Sequence, residues 1–436
     1  MLFCVLAQPL WAQTPQQIDP VTRIRTALKA GGVERRQAIW YIYQEGHDEL
    51  LPEAVAYLFE SEDYDDHQAI LNVMQAYGHR LERYLPAWFN ILDQYIARKV
   101  PAHLLVQCVE IAIYFREDRL IHALRRLAID PRREVRLAAY RGMVELGSDI
   151  LIPVLLKMLN EPRPIYRMYA LEGLIHYGDK RMVPFLVQSL NDDNKSVRIF
   201  AVAALSQHPG AAELSHNLAT RYNRESNPEV RARIIEVIAF LRLTSMNYIV
   251  HRGIQDEVPL VRRAALEAAR DLRDRTAGYP ISRQLSNEPE SELKLLAMDV
   301  MMAIENSGGG GGLIEVLAGD RQEAVRARAA LALGVLRERA AVTALSHAVR
   351  DDESRVVRVE AAGALGELRD DRAVPALVDA VRRSDDSYEV RSAALLALAR
   401  IDSATARSAL ESLYAGTSNA ELRRQIQKLF DANESR

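Results

Sequence analysis

Cysteine and lysine are scarce in this sequence. Cys4 and Cys108 are the only cysteines among 436 residues, and no Cys-x-x-Cys pair occurs. That excludes a disulfide framework and a cysteine-based zinc site. Cys108 sits in the helical-looking run Leu104–Phe115, where a buried free thiol is expected. Only 7 of the 56 basic residues are lysines, so arginine carries nearly all the positive charge. Arginine's planar fork suits repeated pairing with carboxylates. Neither sign of charge dominates: the formal net charge is −3. A protein whose main partner is nucleic acid shows a basic excess, so no nucleic-acid partner is expected. No apolar run reaches the roughly 20 residues of a membrane helix, so no transmembrane span is expected. With 49% hydrophobic and 26% charged residues, the chain can nevertheless bury a large core.

Motifs for catalysis are also missing. The ten histidines form no His-Glu-x-x-His, and no His-Glu dipeptide occurs anywhere. There is no Gly-x-Ser-x-Gly, Walker or Gly-x-Gly-x-x-Gly motif. The run Gly308–Gly312 lacks the Lys-Ser/Thr that completes a phosphate loop. It takes the place of a short turn and reads as a hinge or insertion over 307–312, where ordering five glycines is costly. No catalytic residue, cofactor or metal ligand is expected, and the chain reads as a non-enzyme.

What the sequence has is a period. From residue 130 onward, an arginine preceded by an apolar residue recurs every 31–33 positions: Arg136, Arg167, Arg198, Arg231, Arg262, Arg326, Arg358, Arg391 and Arg423. Lys294 fills the one gap. Three residues after the arginine stands a small residue, as in Ala265, Ala329 and Ala361. Six after it stands glycine or alanine, as in Gly142, Ala268 and Ala364. Six before it stands an acid: Asp192, Asp256, Asp320, Asp352 and Asp385 are examples, and Thr417 breaks the column in the last repeat. Positions −1, +3, +7 and +10 share one helical stripe, so this is the buried face of a helix B. A helix A precedes each turn, often with proline near its first position, as at Pro184 and Pro375. One hairpin cannot bury its own apolar face, so neighbours must stack.

The fold class expected is all-α: an α-solenoid, a right-handed superhelix of about 13 antiparallel helix-pair units of 31–33 residues. The frame extends back through Leu105 and His67 to Arg35. Residues 31–116 are divergent and aromatic-rich, and residues 117–430 are regular. Residues 1–12 resemble a signal peptide, with apolar Leu2–Trp11 followed by Ala12-Gln13-Thr14, although no Lys or Arg precedes the run. That predicts a periplasmic or secreted protein; read as a plain apolar tail, the segment leaves a cytoplasmic location open. Residues 13–30 are expected to form a linker or leader, and 431–436 a polar tail.

The Asp…Val-Arg…Ala…Ala-Leu-Gly runs, clearest from Asp352 through Val357-Arg358, Ala361 and Ala364-Leu365-Gly366, resemble HEAT repeats of the short bacterial type also found in phycobilisome lyases. The resemblance implies that the turn acids and helix-B arginines form a structural ladder linking repeats: Asp192, Arg198, Asp256, Arg262, Asp320, Arg326, Asp352, Arg358, Asp385 and Arg391. The alternative is an exposed arginine stripe that binds anions. It also implies a scaffold for protein partners. Deoxyhypusine hydroxylases share the architecture but need His-Glu pairs, which are missing here. Phycobilin lyases and HEAT-like DNA glycosylases offer ligand-processing and nucleic-acid alternatives. Of the 28 aromatic residues, 20 lie at or before Phe185. Trp40 occupies helix-B position +5, expected to face outward, so Trp40, Tyr41 and Trp88 are the candidate partner-binding residues.

Overall fold

A computed structural model describes residues 19–77, 85–98, 100–113, 119–146, 148–177, 183–207, 215–383 and 387–434. The signal-peptide-like residues 1–12, the linker residues 13–18 and Asp385 lie outside them. Among the described residues there are 26 α-helices and no strand. In sequence they alternate as helix A and helix B, thirteen of each, which is the expected α-solenoid of about 13 units. The chain divides into two compact units, Met1–Ser189 and Leu190–Arg436. That division falls well after the change in repeat regularity at 116–117.

One repeat of the second unit shows why the sequence folds this way. Helix B, Pro259–Asp271, starts with proline where its missing N–H has no intrahelical partner. Val261, Ala265, Leu266, Ala268 and Ala269 are buried. The helix stops at Arg273, which adopts a left-handed φ of 53°. Asp274 N–H then donates back to the Ala269 carbonyl at 2.9 Å, closing a Schellman turn. The Asp274 carboxylate accepts Thr276 N–H at 2.9 Å and caps the 3-10 turn Arg275–Ala277. Helix A of the next repeat, Gly278–Leu285, follows directly. The same left-handed residue recurs at Arg242, Glu305, Arg337, Arg369 and Asp402.

The small-residue columns set the spacing between successive B helices. Ala265, Ala329, Ala361 and Ala394 are fully buried. A Cβ on Gly334 would lie 2.7 Å from the Ala364 Cα, and one on Gly366 would lie 2.9 Å from the Ala397 Cα. Only glycine lets these backbones approach so closely, and overpacking them would cost about 1–3 kcal/mol.

Three expectations change. Residues 20–30 are not linker: Pro20–Ala30 is the first helix A, capped by the Asp19 carboxylate and burying Ile24, Ala27 and Leu28. The polar tail is shorter, because helix Ala420–Glu434 continues through residues 431–434. The glycine run is a packed joint and not an insertion. Lys294 and Arg326 remain 32 residues apart, the same interval as Arg326 to Arg358. Cβ atoms on Gly308, Gly310 and Gly312 would strike the Gly278 carbonyl, Glu338 Cγ and the Ser282 carbonyl, at 2.3, 2.3 and 2.1 Å. Ser307 Oγ donates to Glu338 at 2.7 Å, and Gly312 N–H donates to Ser282 Oγ at 3.1 Å. The run thus fits between the repeats on either side, and left-handed φ values at Gly308, Gly309 and Gly310 let it do so.

Candidate functional site

The charged columns converge into the expected ladder in the second unit. Each of Arg198, Arg231, Arg262 and Arg326 makes two kinds of contact. Its Nη1 donates to the carbonyls six and five residues back, as Arg262 does to Asp256 and Glu257 at 2.9 and 3.0 Å. Its Nε and Nη2 form a two-pronged fork on the turn acid of the following repeat. Arg198 grips Glu225 at 2.9 and 2.9 Å, Arg231 grips Asp256 at 2.9 and 2.8 Å, Arg262 grips Glu288 at 2.6 and 2.7 Å, and Arg326 grips Asp352 at 2.8 and 2.9 Å. Lys294 reaches Asp320 as a single charge. Each acid also accepts the backbone N–H two residues on, as Asp352 does from Ser354 at 2.8 Å and Asp192 from Asn194 at 2.9 Å. The acids therefore shape the turn from two residues ahead of the cap, and do not cap helix B themselves. Burial raises the Glu225 pKa, but hydrogen bonds from Arg198 and the Asn227 N–H, with the nearby Arg221, hold it below its ordinary value.

The ladder ends where its acid column ends. Arg358 donates to the Asp352 and Glu353 carbonyls. Arg391 meets no carboxylate among the described residues, because Thr417 stands where the next acid belongs. This corrects the expectation that Arg391 is a ladder member.

In the first unit the positions are kept and the chemistry changes. Arg136 bonds Glu172, on the next helix B, at 3.0 and 2.7 Å, and stacks over the Tyr169 ring at 3.6 Å. Asp130 is gripped locally by Arg132 at 2.9 Å. His67 occupies an arginine position and is buried. Its Nε2 donates to the Ser61 carbonyl six residues back at 3.1 Å, and its Nδ1 accepts from Tyr95 Oη at 2.6 Å. Arg35 and Arg36 share the buried Asp66 at 3.0 and 3.3 Å, and Ser61 Oγ also donates to it at 3.0 Å. Burial holds His67 below its ordinary pKa of 6.5 and Cys108 well above the usual thiol value. Cys108 is the buried free thiol expected.

The candidate partner residues are less exposed than expected. Trp40 is half-buried and packs 5.4 Å from Tyr43, and Tyr41 is half-buried as well. Trp88 lies on helix Leu85–Arg98, but its side chain is outside the described residues. At the same +5 position Glu236, Glu267 and Asp299 are exposed, whereas Trp40 is half-buried.

Sequence reasoning passed over the open stripe of the B helices, at positions −2, +2, +5 and +9. In the second unit it exposes Phe240 (72%), Val335 (53%), Val356 (49%) and Leu396 (50%). Beside Phe240 lies a groove of about 440 Å³ floored by Ala264 and Ala268 and walled by Glu236, Glu267 and Asp271. The signal was present in the sequence, since +9 is a helix-B position off the buried stripe and Phe240 sits there. Among the described residues no three His, Cys, Asp or Glu side chains converge as a metal ion would need, and no helix is long and apolar enough to cross a membrane.

Stacked A–B hairpins joined by a buried charge ladder define an α-solenoid. A family model described as HEAT repeats matches residues 152–216, 311–388 and 350–429. The chain thus carries HEAT repeats over these residues. No curated protein sequence matches it. Among solved structures, the karyopherin Kap121p bound to the extreme C-terminus of the protein phosphatase Cdc14p is similar at a TM-score of 0.50 and 13% identity, over 94% of this chain and 48% of that one. Kap121p bound to RanGTP is similar at 0.51 and 14% identity, over 87% and 48%. The chain thus spans about half the length of Kap121p. At these identities the likeness shows the fold alone.

Proposed function

We propose that this chain is a non-catalytic scaffold or adaptor that presents its helix-B surface to protein partners in the bacterial cell envelope. The observation that carries this reading is a division of labour within each repeat. The column arginines and turn acids turn inward and pair in the ladder, while the open stripe keeps exposed apolar side chains such as Phe240 and Leu396 among its acids. Exposed aromatic and apolar residues on a rigid frame are the usual anchors of protein interfaces. The similar Kap121p structures hold protein segments on the same fold, which is in keeping with this use. The N-terminal aromatic region around Trp40, Tyr41 and Trp88 is proposed as a second contact area. The envelope location rests on the signal-peptide-like residues 1–12.

The test is affinity purification of the full-length chain from the envelope fraction, with Phe240→Glu/Leu396→Glu run in parallel. The expected result is a partner recovered by the wild type and lost with the double variant. An identical set of captured proteins for both, or the protein found only in the cytosolic fraction, would count against the corresponding part of the proposal.

A further inference from the structure

The break in the ladder leaves a specific vacancy. In each rung from Arg198 to Arg326, one turn acid does two things: it accepts a backbone N–H two residues on, and it pairs with the cation of the preceding repeat, an arginine fork in every case but Lys294. Thr417 keeps the first role, since its Oγ1 accepts Asn419 N–H at 3.2 Å. It has no carboxylate with which to perform the second. Arg391, at the matching arginine position, is half-buried and makes no side-chain hydrogen bond or ion pair among the described residues. It lines a pocket of about 470 Å³ together with Arg382, Arg383 and Thr417. Arg382 is exposed and likewise unpaired, and Arg383 donates to the Arg350 carbonyl. Three arginines thus line one opening, with no acid among its described lining residues.

We propose that this pocket is a carboxylate-binding seat, in which a carboxylate supplied from outside the chain occupies the place that Asp256, Glu288 or Asp352 holds in its own rung. The chemistry follows from the fold's own precedent. An arginine fork at this position is matched to the planar, two-oxygen geometry of a carboxylate. A half-buried, unpaired guanidinium gains from such a partner, and Arg382 and Arg383 add attraction for an anion. The carboxylate can come from an acidic protein segment or from a free small acid. The site stands apart from the open helix-B stripe and does not depend on which face meets a protein partner.

The experiment uses the full chain and two carboxylate probes at fixed ionic strength: a fluorescein-labelled hexaglutamate peptide and glutarate. Inorganic phosphate serves as the competing anion. The wild type is expected to bind a carboxylate probe saturably, and Arg391→Gln to weaken it at least about tenfold, the loss of one charge-assisted fork. Thr417→Asp supplies the missing acid internally. It is expected to weaken binding by a similar factor and to raise the melting temperature by about 1–3 °C. Binding of the peptide alone would assign the seat to an acidic protein segment; binding of glutarate as well would assign it to carboxylates in general. The proposal is overturned if neither probe binds, if Arg391→Gln binds as tightly as wild type, or if phosphate binds more tightly than both carboxylates.

Discussion

The two units solve one problem in two ways. In Leu190–Arg436 every rung from Arg198 to Asp352 uses the same positions, with a fork in each case except the single amine of Lys294. In Met1–Ser189 the same positions are held by Arg136, which reaches past the turn acid to Glu172, and by His67, which replaces both guanidinium contacts with ring nitrogens. The difference shows that the repeat prescribes a place for a donor between two turns more strictly than it prescribes the donor. Where the donor column fails, the first unit recruits a neighbouring residue: Leu105 stands at the arginine position, and Asp130 is gripped by Arg132 instead. At its end, among the described residues, the second unit recruits none, and Arg391 is left unpaired.

Removing the same arginine from both units is the sharpest way to break the comparison. Arg262→Ala strands Glu288, which is almost fully buried, with only the Glu290 N–H as a partner at 3.1 Å. It should cost about 3–5 kcal/mol in chemical denaturation. Arg136→Ala leaves Glu172 still bonded to Arg133 at 2.7 Å and should cost markedly less. Equal losses would mean that the regular rungs have no special weight.

A second contrast lies within the glycine joint. Gly312→Ala drives a Cβ into the Ser282 backbone and should destabilise by about 1–3 kcal/mol. At Gly311 a Cβ meets nothing within 4 Å at the start of a helix, so Gly311→Ala should be neutral or stabilising by up to about 1 kcal/mol. If both variants melt like the wild type, the joint is not packed as described.

The smallest effect separates the units by pH. His67 is held neutral by burial, below its ordinary value of 6.5, so the unfolded chain binds more protons as the pH falls through that value. Stability of the first unit should therefore decline from about pH 6.5 downward, by roughly 1 kcal/mol for each unit of depression. Glu225 is depressed in the opposite functional sense: its contribution is complete above its ordinary value of 4.5 and is lost only as the pH falls through its lower folded value. Hydrogen exchange should show the first unit loosening at milder acidity, and His67→Phe should abolish the loss between pH 6.5 and 5.

Much of this was legible in the sequence because a ladder built of identical rungs writes itself as columns. The period and the helix-B face followed from spacing, and the pairing of turn acids such as Asp256 or Asp352 with arginines followed from the resemblance to HEAT repeats. The first helix lies hidden in the stretch 13–30 expected as a linker; Asp19-Pro20 is instead a cap and first turn, and Ile24, Ala27 and Leu28 carry the helical period. The Asp66 cluster was hidden because its acid sits five places from the column, next to a serine that keeps only half the acid's role. Trp40 was misjudged because position predicts the direction of a Cβ and not where a large ring comes to rest. Thr417 was visible as an exception, but its meaning depends on the pocket around Arg391, which only three-dimensional structure provides.

Each fork in the second unit spans a short stretch of chain: 27 residues from Arg198 to Glu225, 25 from Arg231 to Asp256, and 26 from Arg262 to Glu288. No rung waits for a distant part of the polypeptide. Such local wiring favours rapid folding and lets order spread outward from any repeat that forms first. A chain emerging end-first, from a ribosome or through a narrow channel, could lock each new hairpin onto the last after about 30 further residues, without holding a long unfinished core exposed.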